Sequence, residues 1–112
     1  MRYATTGERM AAIVESTIGT MKQAKKIARI LVEEKLAACV NIIPKVESVY
    51  RWKGEIEEAE EIILIAKTTD GKVKEIITKI RELHPYELPA ITVLPLIGGL
   101  KEYLDYLVDE TT

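Results

Sequence analysis

The segment His84-Pro85-Tyr86-Glu87-Leu88-Pro89 holds the chain's only histidine, and two prolines stiffen it. An imidazole, a phenol and a carboxylate on one rigid loop can bind a polar ligand or do acid–base work. The plainer reading is a proline-punctuated connection, with His84 ending a helix where its positive form suits the helix dipole. A second cluster surrounds the only tryptophan, in the order Tyr50-Arg51-Trp52-Lys53. Aromatic rings beside cations can stack a ring or hold an anion. They can equally be large residues packed at an interface. Lys67 closes an apolar run without a local partner; a lysine at a strand end can simply extend its head into water.

Two further groups bear on metal chemistry. Cys39 lies in the apolar run Leu36-Ala-Ala-Cys-Val, where a free cysteine acts as a small buried hydrophobe and a thiolate is costly. One Cys and one His, without CxxC or HxxxH spacing, cannot close a four-ligand zinc site within one chain. Neighbouring subunits would have to complete it. Copper or another divalent ion is therefore expected to bind weakly if it binds, with His84 as the imidazole ligand and Cys39 as the thiol. Pro85 denies His84 and Glu87 the helical spacing that would make them a chelate. The five glutamates of residues 55–61 read as a solvated strand pair. No obligatory cofactor is expected. An enzyme would use His84 or Glu87 as acid–base, with Lys53 and Lys67 on an anionic substrate. No GxGxxG, Walker A or Ser/His/Asp signature is present, and the expectation is a binding module that is not an enzyme.

The elements that must position these residues follow from periodicity. Residues 10–14 are apolar and fit a buried strand. Thr20-Met-Lys-Gln23 matches a capping box. Ala24, Ile27, Ala28 and Leu31 then recur at helical spacing, predicting a helix of about 17 residues ending near Leu36. Residues 37–43 read as a strand, Pro44 as a bulge or bend, and residues 46–52 as its continuation. In that continuation Val46, Ser48, Tyr50 and Trp52 share one face. Lys53-Gly54 supplies a tight turn into a third strand, whose second half (62–66) is apolar on both faces and so central. Asp70 is placed to cap a second helix with the stripe Val73, Ile76, Ile77 and Ile80. His84-Pro85 stops that helix. Residues 90–94 form a fourth strand. After Gly98-Gly99 a last helix presents Leu100, Tyr103, Leu104, Leu107 and Val108.

The order β-α-β-β-α-β plus a C-terminal helix fits an α+β, ferredoxin-like sandwich, a four-stranded antiparallel sheet with two helices on one face. Residues 1–9 lack periodicity and read as a flexible tail before a single domain over 10–112. The second and third strands are too long for a lone domain. An uncovered apolar sheet face then marks an oligomer interface.

At 112 residues the chain is long enough to bury a core without disulfides or metal. Sixteen basic against eighteen acidic residues, with a pI near 5.5, exclude a broadly basic nucleic-acid binder. No apolar run reaches the length of a membrane span, no secretory signal opens the chain, and a single cysteine cannot make an intrachain disulfide. A cytoplasmic protein that contacts neither nucleic acid nor membrane is expected.

Taken together, Leu36-Ala-Ala-Cys-Val-Asn41, Ser48-Val-Tyr-Arg-Trp-Lys-Gly54, Lys67-Thr68 and His84-Pro-Tyr-Glu-x-Pro89 resemble the CutA family of divalent-cation tolerance proteins. The resemblance runs from about residue 11 to 108. It implies a ferredoxin-like homotrimer whose sheets pair across subunits, similar in shape to the PII signalling proteins that bind small ligands between subunits. It implies a role in the response to copper and other divalent metals, with an unidentified small ligand or partner protein and no settled reaction. The family's motif positions here are Cys39, Tyr50, Trp52, Lys53, Lys67, His84, Tyr86, Glu87 and Pro89, expected near a polar cleft at the subunit boundary. Some members carry Cys at position 16 and a second His at position 83, both linked to copper. Ser16 and Leu83 stand there in this chain, leaving His84.

Overall fold

In the computed structural model, which describes residues 10–112, strand β1 (Ala11–Ile18) is followed by helix α1 (Met21–Glu33). The expected N-terminal tail lies outside the described residues. Thr20 caps α1: its hydroxyl accepts the Gln23 N–H at 3.2 Å. The reciprocal half of the capping box differs from expectation, because the Thr20 hydroxyl donates to the Gln23 side-chain oxygen at 3.1 Å. Ala24, Ile27, Ala28 and Leu31 are buried as the spacing predicts. The helix is 13 residues long, shorter than expected. The reason is a Schellman closure: Lys35 takes a left-handed φ of 59°, its N–H bonds to Val32 O, and the Leu36 N–H bonds to Leu31 O.

Strands β2 (Cys39–Trp52) and β3 (Glu55–Thr69) form a long antiparallel hairpin. Its register shifts between Ile43 and Val46, where Pro44 cannot donate to the ladder. The turn is tight because Lys53 and Gly54 both adopt positive φ, 50° and 83°, the geometry that lets two right-twisted strands join directly. Asp70 opens a single 3-10 turn and makes no side-chain cap, so the expected capping role is replaced by a direct run into α2 (Val73–Leu83). His84 ends that helix in extended backbone ahead of Pro85. Strand β4 (Ile91–Pro95) and helix α3 (Lys101–Asp109) complete the chain.

The sheet order is β2-β3-β1-β4, with every neighbouring pair antiparallel, as in a ferredoxin-like α+β fold. Val14, Ile18, Ile62, Leu64 and Ala66 meet α1 and α2 on one face in the main core. Helix α3 packs on the other face at one end, through Ala11, Ala38, Leu104 and Leu107. Pairing of β1 with β3 stops at Ile18 and Ile62. Beyond that point residues 46–52 and 55–61 pair only with each other, as a bare two-stranded arm. Val49 and Ile56 on this arm are 66% and 67% exposed. Ile43 and Leu94 are also exposed, which leaves the open sheet face and arm without a cover within the chain.

Candidate ligand-binding cleft

Where β1 ends and the arm departs, the loop between α2 and β4 folds back and encloses a cavity of about 620 Å³. Tyr50 and Trp52 from β2, Glu61 from β3, and Tyr86 and Glu87 from the loop line it. Period-two alternation puts Tyr50 and Trp52 on one side of β2, so the arm contributes two rings to one wall. Thr17 at the end of β1 lines the cavity as well.

His84 is the support beneath this wall, with 7% of its surface exposed. Its Nδ1 accepts the Tyr86 N–H at 3.2 Å, and its Nε2 lies 2.7 Å from Thr17 O. A carbonyl can only accept, so Nε2 carries the proton and the imidazole is held neutral in one tautomer. Both nitrogens are thereby engaged, and a metal ion at either one displaces a hydrogen bond that shapes the loop. The Tyr86 ring stands edge-on to His84, with centroids 4.6 Å apart. Its hydroxyl donates to Glu61 Oε2 at 3.0 Å. Gly19 leaves room for that hydroxyl, because a Cβ there would lie 3.1 Å from it. Burial first, and then the hydrogen bond and charge of Glu61, push the Tyr86 phenol up to about 12.

At the cavity rim Lys53 Nζ sits 5.4 Å from the Trp52 ring centre and 3.7 Å from the Glu87 carboxylate. Both charged groups of that pair are well exposed, so it contributes little to stability. Lys67 and Cys39 are elsewhere. They are paired residues of β3 and β2, and the Lys67 ammonium lies 5.7 Å from the Tyr103 ring of α3. From Glu61 to Lys67 is six residues of strand, about 20 Å. His84 and Cys39 therefore do not share a site within one chain. Among the described residues no group of three His, Cys, Asp or Glu side chains could hold a metal ion.

Glu61 is the residue that sequence reading missed. Counted with the solvated glutamates of the arm, it is instead 7% exposed under the Tyr86 hydroxyl. Its signal was position: it directly precedes the buried Ile62, where the arm meets the core. A groove of about 370 Å³ between α1 and α2 is lined by charged side chains such as Lys74, Glu75 and Glu82. The Lys79–Glu34 pair at 3.0 Å spans it, and it offers no convergent polar floor.

The sequence profile of the CutA1 divalent ion tolerance protein matches residues 12–110. The chain belongs to the CutA family. A divalent-cation tolerance protein CutA from Thermus thermophilus is 44% identical over 102 residues, which cover 91% of this chain and 99% of that protein. The crystal-structure counterpart from the same organism superposes with a TM-score of 0.89 over 92% of this chain and 100% of that one. A PII-like protein CutA from Nostoc, in apo form, is 37% identical with a TM-score of 0.84, covering 90% and 97% of the two chains. The vertebrate CutA homologue of Xenopus laevis is longer: the chain spans 57% of its length at 48% identity. These proteins are named for tolerance of divalent ions and not for a reaction. Relatives occupy different compartments, since one from Arabidopsis thaliana is chloroplastic and a CutA from Archaeoglobus fulgidus is described as periplasmic. No helix among the described residues is long and apolar enough to cross a membrane.

Proposed function

We propose that the chain is a non-catalytic, ligand-binding module of the metal-ion response, assembled as a homotrimer and working in the cytoplasm. The observation that carries this reading is the cavity at the root of an uncovered arm. Tyr50, Trp52, Tyr86 and Glu87 line it, with Lys53 at the rim and His84 as the support of its loop. A concave site with a few convergent polar groups is the usual form of a small-molecule site. Exposed apolar residues on the adjoining arm favour a second copy packing there, which would make the cavity an inter-subunit cleft and would join ligand occupancy to assembly. The PII-like description of the Nostoc relative supports such a signalling use. Lys67 could join a cleft only from a neighbouring copy.

Copper and other divalent ions enter this reading as the condition being answered, with direct binding weak. Titration calorimetry with Cu(II) and Zn(II) on the wild type and on His84→Ala checks that part; tight binding would make the protein a metal buffer instead. Sedimentation equilibrium should return the mass of three chains. Val49→Asp combined with Ile56→Asp should reduce it toward one chain while leaving the helix content unchanged. A wild type that stays monomeric at micromolar concentration defeats the assembled module.

A further inference from the structure

We propose that the ligand of this cleft carries a positively charged nitrogen, bound between the Glu61 carboxylate and the aromatic wall of Tyr50, Trp52 and Tyr86. The inference rests on the cleft being a ligand site and adds the chemical class of the occupant.

Glu61 is the charge of the cleft that lacks a counterpart. It is 7% exposed, and its Oε2 is held by the Tyr86 hydroxyl at 3.0 Å. Among the described residues no cationic side chain makes an ion pair with it, and its Oε1 has no hydrogen-bond partner. The other carboxylate of the lining, Glu87, is already answered by Lys53 at 3.7 Å. Arg51 also lines the cavity, but alternation places it on the opposite side of β2 from Tyr50 and Trp52, and it makes no ion pair with Glu61. A carboxylate withdrawn from water without a cation is unfavourable, so an ammonium or guanidinium entering the cavity gains more than a neutral or anionic group of the same shape. The rings add to that preference, because the face of an aromatic ring attracts a cation. Trp52 shows the same attraction at its rim, where Lys53 stands 5.4 Å from the ring centre.

The carboxylate is also held in place before any ligand arrives. Gly19 makes room for the Tyr86 hydroxyl, His84 Nδ1 accepts the Tyr86 N–H, and the hydroxyl fixes one Glu61 oxygen. Holding a charged acceptor in its binding orientation lowers the ordering cost of association. The second oxygen is left for a donor from the ligand.

Three matched probes test the class on the full chain: phenethylammonium, 2-phenylethanol and 3-phenylpropanoate. The fluorescence of Trp52, the only tryptophan, reports occupancy. The ammonium should saturate at concentrations about tenfold lower than the alcohol, the ratio expected for a charge-assisted hydrogen bond, and the carboxylate should bind weakest. Glu61→Gln, which keeps the shape of the side chain, should erase the preference for the ammonium. Glu75→Gln, on the far side of α2, should leave it intact. Should Glu61→Gln fail to fold, Tyr86→Phe keeps the carboxylate but frees it, and should reduce the preference without abolishing it. Equal binding of alcohol and ammonium, or tighter binding of the carboxylate, overturns the cation assignment while the cleft stands as a ligand site. If no probe reaches the cleft and Glu61→Gln dissociates the assembly, Glu61 serves a subunit contact and the assignment falls. If no probe reaches the cleft and no small molecule of any class raises the melting temperature, the ligand-site reading falls with it.

Discussion

The two ends of the β2–β3 hairpin obey the same strand rules and reach opposite outcomes. At the inner end β3 is central, flanked by β1 and β2, and Leu64 and Ala66 are sealed under α1 and α2. At the outer end the same two strands pair only with each other, and Val49 and Ile56 face water. A two-stranded ribbon of this kind is marginal on its own, since burial of one face is what stabilises a sheet. The inner half therefore carries the stability of the fold. The outer half is available for recognition, and the cleft forms at the junction, where a rigid support meets an uncovered surface.

Leu64 gives the largest expected effect. Leu64→Ala removes a side chain that is 1% exposed and should cost about 2–5 kcal/mol in urea unfolding. Ile56→Ala on the arm should change the stability of a dissociated chain by less than about 0.5 kcal/mol. Comparable losses at both positions in a monomeric background would show that the arm has a cover of its own. Ser16 sharpens the picture of the inner half. Its hydroxyl is buried on the helix-facing side of β1 with no hydrogen-bond partner. Ser16→Ala should stabilise by about 1 kcal/mol in the same assay, because the unmet polar group is removed.

At the junction, Tyr86 links stability to pH. Its pKa is raised in the folded protein, from 10.0 to about 12, so the folded state favours the protonated phenol. That contribution is fully present below about pH 10 and is lost as pH rises toward 12. Ultraviolet titration should show a late phenolate component that Tyr86→Phe removes and Glu61→Gln moves to lower pH. Melting curves at alkaline pH should fall less steeply for Tyr86→Phe than for the wild type. The smallest effect is expected at Lys35, whose left-handed backbone suits glycine better than lysine. Lys35→Gly should gain a few tenths of a kcal/mol, the relief of strain being partly offset by the freer unfolded chain.

Local chemistry was enough to specify most of the elements. The spacing of Ala24, Ile27, Ala28 and Leu31 determined a helix face, Lys53-Gly54 a hairpin turn, Pro44 a bulge, and His84-Pro85 a helix end. Each depends on neighbours within a few residues, so each is written in the sequence. The end of α1 was less legible, because Lys35 occupies a position where glycine would have announced the stop. The site was legible by residue type but not by arrangement. Tyr50, Trp52, Tyr86 and Glu87 do converge on one cavity, with Lys53 at its rim and His84 beneath. Lys67 and Cys39 lie near α3, about 20 Å along β3 from Glu61 for Lys67. Only the tertiary structure separated these groups. It also distinguished Glu61 from the other glutamates of its run, because a carboxylate is buried by what folds over it from far along the chain, here Tyr86, and not by its own neighbours in sequence.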